Sequence, residues 1–168
     1  MSTKKATRKA GPADDLKLDL LPGLVGYQVR LTQLAVFGDF AAELKEFDIS
    51  PGRFGVLVLI SANPGLTQSR LAAATQLDRS TMVAVIDQLE ARGLVERRAS
   101  PTDRRSNALV LTDAGESLLK LLKRRIKSHE ARIAKAMTPH EAAAFVEMLT
   151  RVREQLQDHA GARRTGAK

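Results

Sequence analysis

The sequence predicts a mainly α-helical fold carrying one small β-hairpin, and three observations predict it. Apolar residues recur at three- and four-residue intervals over most of the chain. A period of two appears only at Val95 and again at Leu109 and Leu111. Helix-capping residues stand ahead of nearly every helical stretch.

The first periodic stretch runs from about Leu21 to Phe47 through Leu24, Tyr27, Leu31, Leu34, Phe37, Ala41 and Leu44, the pattern of a long amphipathic helix. Pro22 fits its first turn, where the missing N–H is harmless. Leu16, Leu18, Leu20 and Leu21 form an apolar leader that needs a partner. Ser50 and Pro51 supply an N-cap and a first-turn proline for a second helix to about Ser61, which Asn63-Pro64-Gly65 ends. Thr67 caps a short third helix, Gln68 to Thr75, and Asp78 caps a fourth. In the fourth, Leu77 and Met82 occupy staple positions, Met82, Val85, Ile86 and Leu89 turn inward, and Gly93 closes the helix. Two short capped helices joined by a tight turn form a helix-turn-helix.

After Gly93 the period changes. Val95, Leu109 and Leu111 alternate with polar residues around a turn-rich basic connection, Arg97 to Ser106, so a two-stranded hairpin with a basic tip is expected. Thr112 caps a helix of about 25 residues to Met137, roughly 37 Å long. Thr138-Pro139-His140-Glu141 is a capping box that opens a last helix through Phe145, Met148, Leu149, Val152 and Leu156. A helix-turn-helix followed directly by a hairpin is a winged helix.

The chain has 168 residues, 43% hydrophobic and 27% charged, enough for one core without staples. A single domain over residues 14–160 is expected, with the winged helix at 50–112 and flexible basic tails at 1–13 and 161–168. No cysteine is present, which removes disulfides, thiolate zinc sites, cysteine nucleophiles and thiol redox sensing together. No window approaches the roughly 18–20 apolar residues of a membrane span, and Met1 to Ala10 is lysine-rich rather than a signal peptide, so a soluble, cytoplasmic protein with no membrane partner is expected. The net charge is +8, but Lys4, Lys5, Arg8, Lys9, Arg163, Arg164 and Lys168 in the tails hold seven of these charges. Residues 14–158 carry 20 basic and 19 acidic side chains, so a case for nucleic acid rests on local clustering.

Two clusters supply it. With the apolar stripe of the fourth helix inward, Arg79, Ser80, Ala84, Asp87 and Gln88 face outward and Thr81 lies at the edge. A short polar first turn suits a major groove about 12 Å wide. The hairpin tip adds Arg97, Arg98, Arg104 and Arg105, guanidinium groups suited to a narrow minor groove. Both clusters also fit ordinary solvated turns.

The blocks Leu71-Ala-Ala-Ala-Thr75, Leu77-Asp78-Arg79-Ser80-Thr81-Met82-Val83 running on to Leu89-Glu-Ala-Arg-Gly-Leu-Val95, and above all Asp103-Arg104-Arg105-Ser106 followed by Leu109-Val110-Leu111-Thr112 and Gly115, resemble the MarR family of transcriptional regulators. The resemblance covers roughly Leu20 to Gln157. It implies an interlocked α-helical homodimer, built on the first, fifth and sixth helices, whose two winged helices read a pseudo-palindromic double-stranded DNA operator. Carried over by position, Arg105 resembles the wing arginine of the minor groove and Asp103 its structural partner. Ser69, Arg70, Arg79, Ser80 and Thr81 fall where the family contacts DNA, and Gln88, Arg98 and Arg104 complete the expected contact set.

Dimerisation has independent support in the leader and in the Phe145-to-Leu156 stripe, more apolar surface than one monomer covers. The resemblance also implies an effector site for small aromatic carboxylates or their coenzyme A thioesters, with Tyr27, Arg30, Leu31, Arg53, Phe54 and Leu57 as its expected lining. The same aromatics fit a core, and Arg30 and Arg53 could equally pair with Asp39, Glu43 or Glu46. The basic run Lys120, Lys123, Arg124, Arg125, Lys127, Arg132 and Lys135 fits a solvated face, a DNA flank, or a partner for the acidic first helix.

The competing classes are an enzyme, a winged-helix protein adaptor and an architectural DNA-binding protein. His129, His140 and His159 have no metal spacing, and no GxSxG, P-loop or GxGxxG sequence occurs, so no enzyme and no cofactor are expected. An adaptor would need neither Arg79 nor the wing arginines.

Overall fold

The computed structural model describes residues 16–99 and 107–165, with the backbone alone for 160–165. The chain divides into two compact units, Met1–Val36 and Phe37–Lys168.

In the first unit, Leu21–Gly23 form a 3₁₀ turn that contains Pro22. Leu24 is extended, and only then does helix α1, Val25–Glu43, begin. Pro22 therefore sits in a separate turn ahead of the helix and not in the helix's own first turn. The leader is exposed as expected at Leu16, Leu18, Leu20 and Leu21. The expected amphipathic pattern fails in α1, because Val25, Val29, Leu31, Leu34 and Phe37 point to different sides of the helix and are all exposed, while Phe40 alone is buried.

In the second unit α1 stops at Glu43, short of the expected Phe47. A second 3₁₀ turn, Lys45–Phe47, follows, and Asp48 takes the left-handed conformation that redirects the chain, with φ 49°. Helices α2 (Pro51–Ala62), α3 (Gln68–Thr75) and α4 (Arg79–Ala91) come next. The hydroxyls of Ser50 and Thr67 and the carboxylate of Asp78 accept the backbone N–H of Arg53, Arg70 and Thr81, so each cap expected from the sequence forms. Gly93, at φ 66°, closes α4. Leu77 stays exposed beside a fully buried Met82. The core gathers on Leu57, Leu71, Met82, Ile86, Leu89, Leu119 and Leu122.

Strands β1 (Val95–Ala99) and β2 (Asn107–Leu111) pair antiparallel, with Val95 opposite Leu111 and Arg97 opposite Leu109. A further bridge pairs Thr67 with Ala108 through a 2.8 Å bond from the Leu109 N–H to the Leu66 carbonyl, and ties the hairpin to the segment before α3. Alternation cannot reveal so short a pairing. The hairpin tip, residues 100–106 with Asp103, Arg104 and Arg105, lies outside the described residues.

Helix α5 spans Asp113–Ala134, three residues shorter than expected, because Ala136 and Met137 form i→i+3 bonds leading into the next cap. Its own cap, Thr112, accepts the Gly115 N–H at 3.0 Å and donates its hydroxyl to the Gly93 carbonyl at 2.6 Å. Helix α6, Pro139–Thr165, opens on the expected reciprocal box. The Thr138 N–H donates to Glu141 at 2.7 Å, and the Glu141 N–H donates to the Thr138 hydroxyl at 3.3 Å. Its backbone stays helical through Thr165, where the sequence suggested a flexible tail from residue 161.

Candidate nucleic-acid interface

The first turns of α3 and α4 present the residues that sequence reasoning selects. Ser69 and Arg70 are exposed at the start of α3, with the Ser69 hydroxyl 3.2 Å from that of the cap Thr67. Arg79, Ser80 and Thr81 are exposed at the start of α4. The inward face of α4 is Met82, Ile86 and Leu89, fully buried, with Val85 half-buried, so the outward face falls where the 3.6-residue period places it.

Two of these hydroxyls are not free donors. Asp78 caps α4 through the Thr81 N–H at 2.8 Å, and it also takes the hydroxyl protons of Ser80 and, at 2.6 Å, of Thr81. These bonds, led by the two hydroxyls, hold the Asp78 carboxyl far below the ordinary carboxylate range. Ser80 and Thr81 therefore meet a partner with oxygen lone pairs outward, and Arg79 is the exposed cation of that turn.

Gln88 and Arg53, which the sequence assigned to different sites, bond to each other: the Arg53 guanidinium donates to the Gln88 side-chain carbonyl. Arg53 also reaches the Asp48 carbonyl at 3.4 Å and lies 3.9 Å from the Asp48 carboxylate. Arg92, at the end of α4, donates to the carbonyls of Phe47 and Asp48 at 2.8 and 2.9 Å. Two arginines thus fasten the Phe47–Asp48 turn to α4. Sequence reasoning offered Arg53 to an effector carboxylate; here two of its five guanidinium N–H groups bond the Asp48 carbonyl and Gln88. Of the other two effector candidates of α2, Leu57 is fully buried and Phe54 is half-buried with its ring 6.1 Å from that of Phe40. On α1, Tyr27 is half-buried, and Arg30 and Leu31 are exposed.

Arg98 is exposed on β1 and pairs with Glu96. Arg97 turns back to α4, donating to Asp87 at 2.6 Å and to Glu90.

The basic run of α5 resolves into two faces. Arg125 pairs with Glu46 at 2.7 Å, and Arg132 holds Asp39 at 2.8 Å and Glu43 at 2.7 Å. Between them His129, 2% exposed, bonds Asp39 through Nδ1 at 2.7 Å and sets its ring edge-on to Phe40 at 5.6 Å. The Arg132 guanidinium, then His129, hold the Asp39 carboxyl below its usual range. Sequence reasoning passed over His129 because it searched for metal spacings. The legible signal is a pair of matching stripes, Asp39, Glu43 and Glu46 against Arg125, His129 and Arg132, each spaced by helical intervals of three and four. Lys120, Lys123, Arg124 and Lys127 are exposed on the opposite face of α5.

Among the described residues, no helix is long and apolar enough to cross a membrane.

Helix-turn-helix, wing strands and an outward polar first turn define a winged-helix DNA-binding regulator of transcription. The sequence model of the MarR family matches residues 47–106. The chain is 35% identical over 136 residues, 80% of its length and 82% of the relative's, to a protein assigned to regulate transcription of the hcr operon in Thauera aromatica. It also resembles the transcriptional repressor CouR bound to a 23-mer DNA duplex, with TM-score 0.79, 37% identity, and 83% of this chain and 99% of that one covered. The structure of CouR bound to p-coumaroyl-CoA is similar at TM-score 0.77 and 35% identity, covering 83% and 98%. The chain belongs to the MarR family.

Proposed function

We propose that this chain is a ligand-responsive, sequence-specific repressor that binds a pseudo-palindromic operator as a homodimer and is released by a small aromatic carboxylate or its coenzyme A thioester. The observation that carries DNA binding is the exposed pair of first turns, Ser69 and Arg70 on α3 beside Arg79 on α4, above a packed apolar face. Arg98, Asp103, Arg104 and Arg105 are assigned to the wing contact, and Gln88, Ser80 and Thr81 to the flank of the recognition helix. Phosphate contacts from these cations would set affinity, and contacts to base edges would set sequence.

The dimer reading rests on apolar surface. Met148, Leu149, Val152 and Leu156 of α6 are exposed, and Phe145, Leu149, Val152 and Leu156 follow the alternating four- and three-residue spacing of a helix-helix seam. A second copy is the economical cover for them and for the exposed apolar side chains of α1. A two-fold dimer would place the recognition helices about 34 Å apart, one DNA turn, so half-sites should be centred about 10 base pairs apart.

The effector class follows the similarity to CouR, whose complex holds p-coumaroyl-CoA. Tyr27, Arg30 and Leu31 are the lining we assign on α1. A ligand that prefers a dimer with recognition helices wrongly spaced lowers DNA affinity by the factor by which DNA lowers its own.

Fluorescence anisotropy tests this reading, with duplex DNA from upstream of the chain's own gene, a scrambled control, a salt series, and then aromatic acids and p-coumaroyl-CoA. Specific binding released by one compound supports it. Equal, salt-sensitive binding to both duplexes favours an architectural role, and no binding at low salt favours a protein adaptor.

A further inference from the structure

Asp87 and Glu90 place two carboxylates on α4, where a bare negative charge would repel a polyanion, and Asp87 is among its exposed residues. Both are engaged by one side chain. Arg97, at the base of the wing on β1, donates from Nη2 to Asp87 at 2.6 Å and from Nη1 to Glu90, so its fork spans two carboxylates one helical turn apart. Its side chain is 25% exposed, much less than the 66% of its neighbour Arg98. Arg97 also lines a cleft of about 190 Å³ with Thr67, Gln68, Ser69, Asn107 and Leu109, between the start of α3 and the wing.

We propose that Arg97 is a positioning residue for operator recognition: with Asp87 and Glu90 it fixes the wing against the recognition helix, so that both read their grooves in one register. A two-stranded hairpin has little stability of its own. A single backbone bridge holds this one toward α3, where Thr67 pairs with Ala108 through the bond from the Leu109 N–H to the Leu66 carbonyl. The Arg97 clamp supplies the side-chain tie to α4. The trio carries a net charge of −1, so it does not act by attracting phosphate. Its benefit is geometric, and it falls on specific binding alone, because nonspecific binding is a phosphate term that tolerates a loose wing.

This inference rests on specific DNA binding and predicts an effect opposite in sign to simple electrostatics. The test uses a duplex that the full chain selects from a random pool, a scrambled duplex, and the variant Asp87→Asn/Glu90→Gln. Removing two negative charges should tighten binding to both duplexes if the carboxylates are idle. With the clamp, affinity for the selected duplex falls about tenfold while affinity for scrambled DNA holds or rises. Arg97→Gln is the second variant, and it should lose specific affinity with an unchanged slope of log affinity against log salt. A thermal melt checks that each variant is folded. Unchanged or tighter specific binding by the folded double variant overturns the proposal. So does an Arg97→Gln variant that weakens both duplexes equally and lowers the salt slope by about one, which would make Arg97 a phosphate contact. A native chain that selects no duplex refutes specific recognition itself, and the proposal with it.

Discussion

Gly115 stands in the first turn of α5, three residues after the cap, and a methyl group there tests how the wing is joined to the helix behind it. A Cβ built at this position falls on the carbonyl oxygen of Leu94, deep inside van der Waals contact, 3.0 Å from the Leu94 carbonyl carbon and 3.4 Å from the Leu111 Cβ. The obstructing atom is backbone and cannot swing aside. The Leu94 carbonyl accepts the Thr112 N–H at 3.1 Å, and the Thr112 hydroxyl holds the preceding Gly93 carbonyl at 2.6 Å. Relief of the clash therefore strains the turn that ends α4 and the cap that starts α5 together. In an open helix interior, Gly→Ala stabilises by up to about 1 kcal/mol. Here overpacking against a fixed carbonyl outweighs that gain, and we expect Gly115→Ala to destabilise by about 2–3 kcal/mol. At roughly 2–4 °C per kcal/mol for a chain of this size, the melting temperature falls by about 5–10 °C. Thermal and urea denaturation followed by circular dichroism at one protein concentration measure it. Gly55→Ala in α2 is the control: nothing lies within 4 Å of its Cβ position, so it should gain about 0.5–1 kcal/mol. A Gly115→Ala variant as stable as the parent, or more stable, refutes the close-approach reading of this turn.

Leu57→Ala empties the centre of the core and should cost about 2–5 kcal/mol in urea denaturation, which a ligand-lining residue at the surface would not. Leu149→Glu, on the exposed seam of α6, should yield a folded monomer by light scattering that no longer binds operator, and a persistent dimer would remove α6 from the interface. Stability should also decline on the acid side. Asp39, Asp78 and Glu141 have folded-state carboxyls held below their ordinary range, by Arg132 and His129, by Ser80 and Thr81, and by Thr138 respectively. Their contribution is complete above the ordinary carboxylate range near pH 4 and drains away as the pH falls below it toward the folded values. Urea midpoints from pH 6 to pH 2 should hold and then drop, with a flatter acid limb in Asp39→Asn; a midpoint independent of pH across that range contradicts these bonds.

The elements legible in the sequence are those made by local physics. Ser50, Thr67, Asp78, Thr112 and the Thr138–Glu141 box act across three residues of chain, so reading the residues is nearly reading the bonds. Periodicity likewise identified the outward face of α4 and the order of helices and strands, because burial on one face repeats with the geometry of the element itself. The misplaced ends have local causes too weak to read in advance. The break after Glu43 falls at Leu44, whose backbone at φ −109° and ψ 15° leaves the helix for the short turn that Asp48 closes, and Pro22 formed its own turn because Leu24 is extended.

What only the tertiary structure decided is which partner each charged or polar group takes. The sequence shows 27 cations and 19 acids but not their pairing. Arg53 meets Gln88 across 35 residues, Arg132 meets Asp39 across 93, and Arg97 turns from the wing to Asp87. Gly115 is required by a carbonyl 21 positions away, a need invisible in its own helix. Long flexible side chains can reach many partners at similar cost, so their choice follows from where packing of the apolar core leaves the helices, and composition and spacing do not carry that information.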